Sequence, residues 1–451
     1  MTAPNGAILF NNSTGSDTTA SGLGAANVYG SGASTTGSSA VVTGIDTTGV
    51  SSGDLLWVQS SSGRQFSIIA TVDSSTQVTC DDVFANTESG RTWAIGGKRA
   101  GSDFSTDAII TEAPDGATIE IEYTGTDYTN SGSINPSLGS NTNPVTIKGT
   151  GSQAPRIVGT TLNASCVRLG VGAYIWENLQ FIQNKQGGVG IDCFVIFSKP
   201  TSNRFYKCTF RSEQSDAGGS LFVDGQNTSH VGVFDNCIFD GNNLASTGFL
   251  RSGGTSNYAA QTLINCTFKD LSGTAIFLGD TRTTLVRNCI VHDCSEGVGI
   301  QSDSFYMQNI NDCIFYNLSG NGITLNSSQN VLCSNFTGNI FHSITGNAFS
   351  AAADYSSGQE MSVIENNAFY SITGSNYSNL NAGANDIHLT ADPFVDAAAG
   401  DFNLNATAGG GATLRASNFA INTDTSVYPF RQYVSDDFGG GGGSTYHPLG
   451  N

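Results

Sequence analysis

Charge is what this sequence has least of. Asp, Glu, Lys and Arg make up 12% of the 451 residues, against roughly 25% in an average globular protein. Bases are the scarcer kind: 18 Lys and Arg stand against 37 Asp and Glu, for a formal charge of −19. Nucleic acids and anionic bilayers are bound through a Lys/Arg footprint, so neither is an expected partner. No apolar run is long enough to cross a bilayer, and membrane insertion is not expected. The opening Met1-Thr-Ala-Pro-Asn-Gly6 lacks the basic and apolar regions of a secretory leader, so ordinary export is not expected. The ten cysteines contain no C-x-x-C pair, the usual mark of a zinc or redox site. No metal and no cofactor are implied. Methionine is rare, at 3, and no heptad or 3.6-residue pattern runs through the chain.

What is present is glycine, 56 residues of it, together with Ser, Thr and Asn and a regularly spaced 38% of hydrophobic residues. The chain reads as all-β. Its length exceeds what one compact core ordinarily holds, a limit that repeats escape because each unit touches only its neighbours. Eight short segments share one form: Asn178-Leu-Gln-Phe181, Lys207-Cys-Thr-Phe210, Asn236-Cys-Ile-Phe239, Asn265-Cys-Thr-Phe268, Asn288-Cys-Ile-Val291, Asp312-Cys-Ile-Phe315, Gly338-Asn-Ile-Phe341 and Asn366-Asn-Ala-Phe369. Their last residues lie 29, 29, 29, 23, 24, 26 and 28 positions apart. A glycine-led mark follows most of them, as at Gly187-Gly-Val-Gly-Ile191, Gly218-Gly-Ser-Leu-Phe222, Gly273-Thr-Ala-Ile-Phe277, Gly297-Val-Gly-Ile300 and Gly320-Asn-Gly-Ile-Thr-Leu325. Each period therefore holds two or three short strands.

Side chains alternate faces along a strand, so each Phe and the Cys two before it point the same way. Both are types that bury readily, and no charge occupies those slots, so that way is inward. Stacked turns then align Cys208, Cys237, Cys266, Cys289 and Cys313 in one internal file of reduced thiols, whose Cβ vectors do not face each other for bridging. The Asn at 236, 265, 288 and 366 suits a bend in the left-handed region, with amides bonding along the axis.

The repeats resemble the right-handed parallel β-helix of the pectate-lyase-like group. Ala113-Pro-Asp-Gly-Ala-Thr-Ile-Glu-Ile121 and Pro144-Val-Thr-Ile-Lys-Gly149 resemble that group's opening strands. Asp392-Pro-Phe-Val-Asp396 with Gly400-Asp-Phe-Asn-Leu404 resembles its terminal coil. The resemblance implies a solenoid from about Ala108 to Leu404, and a division into 1–100, 101–404 and 405–451. It does not carry a function, since the scaffold hosts lyases, hydrolases, phage spikes and structural rods.

In residues 1–100, Ser39–Thr43, Asp54–Val58, Arg64–Ile69 and Gln77–Cys80 read as short strands. Their order resembles small β-barrel modules of phage tail and head-attached proteins; a generic cap on the first coil is the alternative, since an open end is an unpaired edge. At the other end stand Tyr428-Pro-Phe-Arg431, the glycines 439–443 and Tyr446-His-Pro-Leu449, read as a cap or oligomerisation tail.

For chemistry, the outward slot after each Phe is the place to look. It holds Ile182, Arg211, Asp240, Lys269, His292, Tyr316, His342 and Tyr370, with Asp270, Asp293 and Glu296 nearby in sequence. Exposed aromatic and His rings on adjacent coils suit a sugar face, which is apolar with polar edges; ordinary solvated strand positions are the plain alternative. No catalytic set can be assigned from sequence, and neither a calcium-binding Asp cluster nor a basic groove for polyuronate is evident. The expectation is a phage virion appendage: a tailspike, fibre or head-decoration protein. It would be attached through its N-terminal module to other virion proteins, homotrimeric, and directed at host-surface polysaccharide. The rival is an extracellular polysaccharide lyase or hydrolase; a bacterial surface adhesin is a third reading.

Overall fold

The computed structural model describes residues 7–11 and, from 29 to 417, all but 53, 62, 96–97, 101–117, 124, 131–143, 160–165, 170–172, 185–192, 198–201, 214–218, 226–230, 253–259, 280–282, 302–306, 327–333 and 353–362. Residues 113–117, the mark at 187–191, Cys333 and the groups at 428–431, 439–443 and 446–449 lie outside the described residues.

Strands that alternate buried and half-buried residues, such as Val145–Thr150, stack into three parallel sheets. The first has twelve strands, from Lys98–Ala100 and Ala7–Asn11 to Val363–Glu365; the second has eleven, from Tyr128–Asn130 to Ile387–His388; the third has nine, from Val167–Leu169 to Tyr377–Ser378. The chain visits the three in turn, so strand neighbours are one coil apart. The eight repeat positions meet in register without a slip: Phe181, Phe210, Phe239, Phe268, Val291, Phe315, Phe341 and Phe369 pair in sequence along the second sheet. Their rings stack nearly flat at 5.0 Å (Phe210 and Phe239), 4.5 Å (Phe239 and Phe268) and 4.9 Å (Phe315 and Phe341).

One corner sets this register. The first residue of every repeat has positive φ: 56° at Asn178, 52° at Lys207, 57° at Asn236, 55° at Asn265, 52° at Asn288, 57° at Asp312, 70° at Gly338 and 55° at Asn366. This is the left-handed bend between first and second sheets, and Asn, Asp and Gly tolerate it best. Stacked polar groups run along it in part, with Asn288 donating to Asn265 Oδ1 (2.6 Å) and Asn265 to Asp235 Oδ1 (2.9 Å). The glycine marks have a separate cause. A Cβ on Gly297 would lie 2.8 Å from the Phe315 ring, and one on Gly322 2.6 Å from that of Phe341. Glycine opens these third-sheet strands so that the Phe of the second sheet can lie against bare backbone.

Cys208, Cys237, Cys266, Cys289 and Cys313 are buried and unbridged, as read from the repeat. Each thiol donates to a carbonyl of the preceding coil, from Trp176 O under Cys208 (3.5 Å) to Val286 O under Cys313 (3.6 Å). Burial pushes the Cys208 thiol up to about 12. Beyond Cys313 the same file continues as Asn339 and Asn367, both fully buried. Asn339 Nδ2 donates to Ile310 O (2.9 Å), doing the thiol's work, while its Oδ1 accepts from Cys313 N (3.1 Å). Asn367 repeats the arrangement on Asn339, and Asp386 Oδ1 ends it by accepting Asn367 N (2.9 Å).

At the N-terminal end, Tyr29–Thr35, Ser39–Thr43, Gln77–Phe84, Gly63–Ser74, Leu55–Ser60 and Glu88–Ile95 close an antiparallel barrel. The four strands expected within residues 1–100 are all in it. Its own core includes Val42, Leu56, Val58, Ile69, Trp93 and Ile95, and its Ile68 packs against the solenoid core. Ala7–Asn11 and Lys98–Ala100 flank the barrel in sequence yet belong to the first sheet: Ala7–Asn11 pairs with both Lys98–Ala100 and Thr118–Glu122.

The other end differs from the extra coil expected for Asp392–Asp396 and Gly400–Leu404. Phe394–Asp396 and Asp401–Leu404 pair antiparallel with each other around the turn Ala397–Ala399, and the short helix Gly411–Ala416 follows. Leu389, Phe394, Ala397, Phe402 and Leu414 pack on Ile314, Ile340 and Ala368, which face outward from the second sheet. The segment is a strap laid along the side of the rod.

Two outcomes follow from this packing. Phe268→Ala, at the tightest ring stack, is expected to cost about 3–5 kcal/mol in denaturant unfolding. The five file cysteines are expected to resist alkylation in the native chain and react fully once it is unfolded, read by peptide mass; labelling of Cys266 at the denatured rate would contradict the inward register.

Candidate functional site

Because the Phe file is in register, the slots after it form one outward column: Ile182, Arg211, Asp240, Lys269, His292, Tyr316, His342 and Tyr370. The structure brings these residues together as expected, but not as an open platform. His292 and His342 are 9% and 4% exposed, and Tyr316 and Tyr370 are half-buried. Phe402 lies 5.5 Å from both His292 and Tyr316, ring to ring, and Phe394 lies 5.7 Å from His342. Half the column thus sits under the strap. The cover comes from residues far along the chain, and no local pattern announces it. Glu296 does not join the column; it opens the third-sheet strand Glu296–Gln301, where its Oε2 accepts from Thr274 Oγ1 (3.1 Å).

The open half is a ladder of alternating charge. Arg156 meets Asp127 (2.9 Å) and Glu213 (3.0 Å); Arg211 lies 4.0 Å from Glu213 and 3.6 Å from Asp240; Lys269 lies 3.4 Å from Asp240 and 4.0 Å from Asp270. Neighbours one coil apart are held at the strand spacing of about 4.8 Å, so alternation of sign along the axis is the arrangement that costs least. Acids outnumber bases here, which disfavours a polyuronate on this face.

A second left-handed corner borders the column and escaped sequence reasoning. Asp270, Asp293, Asn317, Ser343 and Ser371 each follow a column residue and have φ of 54°, 54°, 50°, 56° and 56°. The signal was present: from Lys269 onward every column residue is followed by Asp, Asn or Ser. Asp293 Oδ2 lies 2.7 Å from His292 Nδ1, and its Oδ1 accepts from Asn317 Nδ2 (2.5 Å). Those contacts, His292 first, hold the Asp293 carboxyl below its ordinary range. Burial raises that of Asp270, against the pull of Lys269. Two partly exposed carboxyls on adjacent coils are therefore pushed in opposite directions, the separation that acid–base pairs require.

Lys269→Ala is expected to destabilise the chain by about 1–3 kcal/mol, because Asp240 is buried and, among the described residues, keeps Arg211 as its one remaining cation. Thermal unfolding of that variant and of the double variant Lys269→Ala/Asp240→Ala checks it, the double being the milder.

Residues 194–369 match the family described as right handed beta helix region. No curated protein matches the sequence. Among solved structures the chain is similar to the pectate lyase Pel9A, at 13% identity over 67% of this chain and 84% of that one, with a TM-score of 0.44. The Dettilon tailspike protein gp208 aligns at 10% identity over 64% and 68%, with a TM-score of 0.35. The tailspike protein gp49 from Pseudomonas phage LKA1 aligns at 10% identity over 80% and 65%, with a TM-score of 0.32. Repeat, register and family match agree on the scaffold: the chain carries a right-handed parallel β-helix.

Proposed function

We propose that the chain is a virion appendage, a rigid β-helical shaft that attaches by its N-terminal barrel and meets host-surface polysaccharide along its side. The observation that supports this most is the barrel's tether. It is looped out between two strands, Ala7–Asn11 and Lys98–Ala100, that both pair at the end of the first sheet. A closed module held twice at one end of a rod is suited to docking that rod, through other virion proteins, end-on. Sugar contact then falls to the uncovered part of the second sheet, where Lys269, Asp270 and Asp293 offer hydroxyl partners beside the half-buried ring of Tyr316. Homotrimeric assembly belongs to the same reading, as closed symmetry is the usual state of such oligomers.

A second reading, glycoside hydrolysis, draws on the opposed carboxyls of Asp270 and Asp293, the first serving as acid and the second as base or nucleophile. The similar structures include both a pectate lyase and tailspike proteins, so the scaffold itself is neutral between the two.

Antibodies against the chain are expected to label purified virions at one fixed location, and light scattering to give three times the chain mass. Virions without label, with the chain free in the culture fluid, would refute the appendage. Asp270→Asn and Asp293→Asn separate the readings: a binder releases no reducing ends from polysaccharide with or without either change, whereas a hydrolase releases them in its unaltered form and loses that release in both variants.

A further inference from the structure

The strap is wired to itself. Backbone hydrogen bonds of residues 390–417 that join described residues all stay within the segment, from Thr390 and Ala391 N on Gly409 O to Ser417 N on Thr413 O. The side chains of Asn405 and Arg415 likewise bond to carbonyls of the strap: Asn405 to those of Asp392 (2.8 Å) and Phe394 (2.7 Å), Arg415 to that of Leu404 (2.9 Å). Among the described residues the last backbone bond to the rod is Leu389 N on Phe369 O (2.9 Å). Beyond it the strap is held by apolar packing and by one ion-pair contact among the described residues, His342 Nε2 to Asp392 Oδ1 at 3.1 Å.

That contact is a poor anchor for a charged ring. Asp392 and the ring's own backbone carbonyl both favour the charged form, but neither ring nitrogen has an aligned hydrogen-bond partner among the described residues. The ring lies between Tyr316 (5.0 Å) and Tyr370 (4.9 Å) on its own sheet, with Phe394 over it. Asp392 is the charged group that acts on it; Asp396 of the strap and Asp293 of the sheet act on the neighbouring Tyr316. A neutral imidazole fits these surroundings. An imidazolium must place two N–H donors, neither with an aligned acceptor among the described residues.

We infer that residues 390–417 are a strap that lifts from the second sheet as one unit in acid, hinging after Leu389, with protonation of His342 as the trigger. Burial holds the docked ring below its ordinary value of 6.5, outweighing Asp392. In the lifted state water restores that value. Docking free energy from this group is therefore complete above 6.5 and is lost as pH falls below it toward the docked ring's lower value. Lifting uncovers His292, Tyr316, His342 and Tyr370 together.

Hydrogen exchange of the full chain, corrected for intrinsic rates, tests this at about pH 7.5 and about pH 5, on either side of the ordinary histidine range. Strap amides are expected to open several-fold more often in acid, while the rungs 307–318 and 340–344 keep their protection. His342→Gln is expected to remove the acid response. Asp392→Asn, which deletes the charge that partly offsets burial, is expected to start release at higher pH. A strap equally protected at both pH values, an unchanged response in His342→Gln, or rungs that open with the strap would each overturn the inference. Should His342→Gln already be open at neutral pH, Asp392→Asn decides: a shift to higher pH supports the trigger and no shift refutes it.

Discussion

Every coil must turn the first corner at the same place, and this one constraint holds the solenoid together. A parallel stack tolerates no cumulative drift: a one-residue slip would send each Phe to solvent and each charge of the ladder inward. The left-handed bend at Asn178, Lys207, Asn236, Asn265, Asn288, Asp312, Gly338 and Asn366 prevents that slip. Coil length is free to change between corners, from 29 residues to 23, because the loops absorb it. Ring stacking, the thiol file and the outward column are all consequences of a backbone that returns to the same conformation each time.

The interior file shows how little the corner cares about chemistry so long as a donor reaches the carbonyl below. Cys supplies it in five coils and Asn in two. Asn adds an acceptor for the N–H of the residue one coil back, which the bend has turned out of the sheet ladder. A thiol is the apolar solution in mid-rod; an amide chain ending on Asp386 is the polar one near the end, where Tyr377 also donates to that carboxylate.

What the sequence made legible is what repeats locally. The Phe and Cys files, the left-handed Asn and the membership of the outward column are all set by positions within one coil, so period and pleat suffice to read them. Exposure of that column was not legible, because Phe394 and Phe402 reach it from beyond the last coil and share no period with it. Asp270 and Asp293 were visible only as nearby acids; their opposed environments depend on Lys269 and His292 being one rung apart, a register known once the sheets are stacked. Glu296 was misgrouped because proximity in sequence says nothing across a corner.

The barrel's position has a bearing on how the chain is made. Ala7–Asn11 emerges from synthesis before its partners, Lys98–Ala100 and Thr118–Glu122, which lie on the far side of the barrel in sequence. The barrel needs only its own strands and can close early, whereas the leading strand waits for a distant edge. Once the barrel has closed, it brings Ala7–Asn11 and Lys98–Ala100 toward each other and shortens the loop that their pairing must still close. The first strands of the rod are thus assembled from both sides of a finished domain, which makes the barrel a jig for the solenoid's first rung as well as its end.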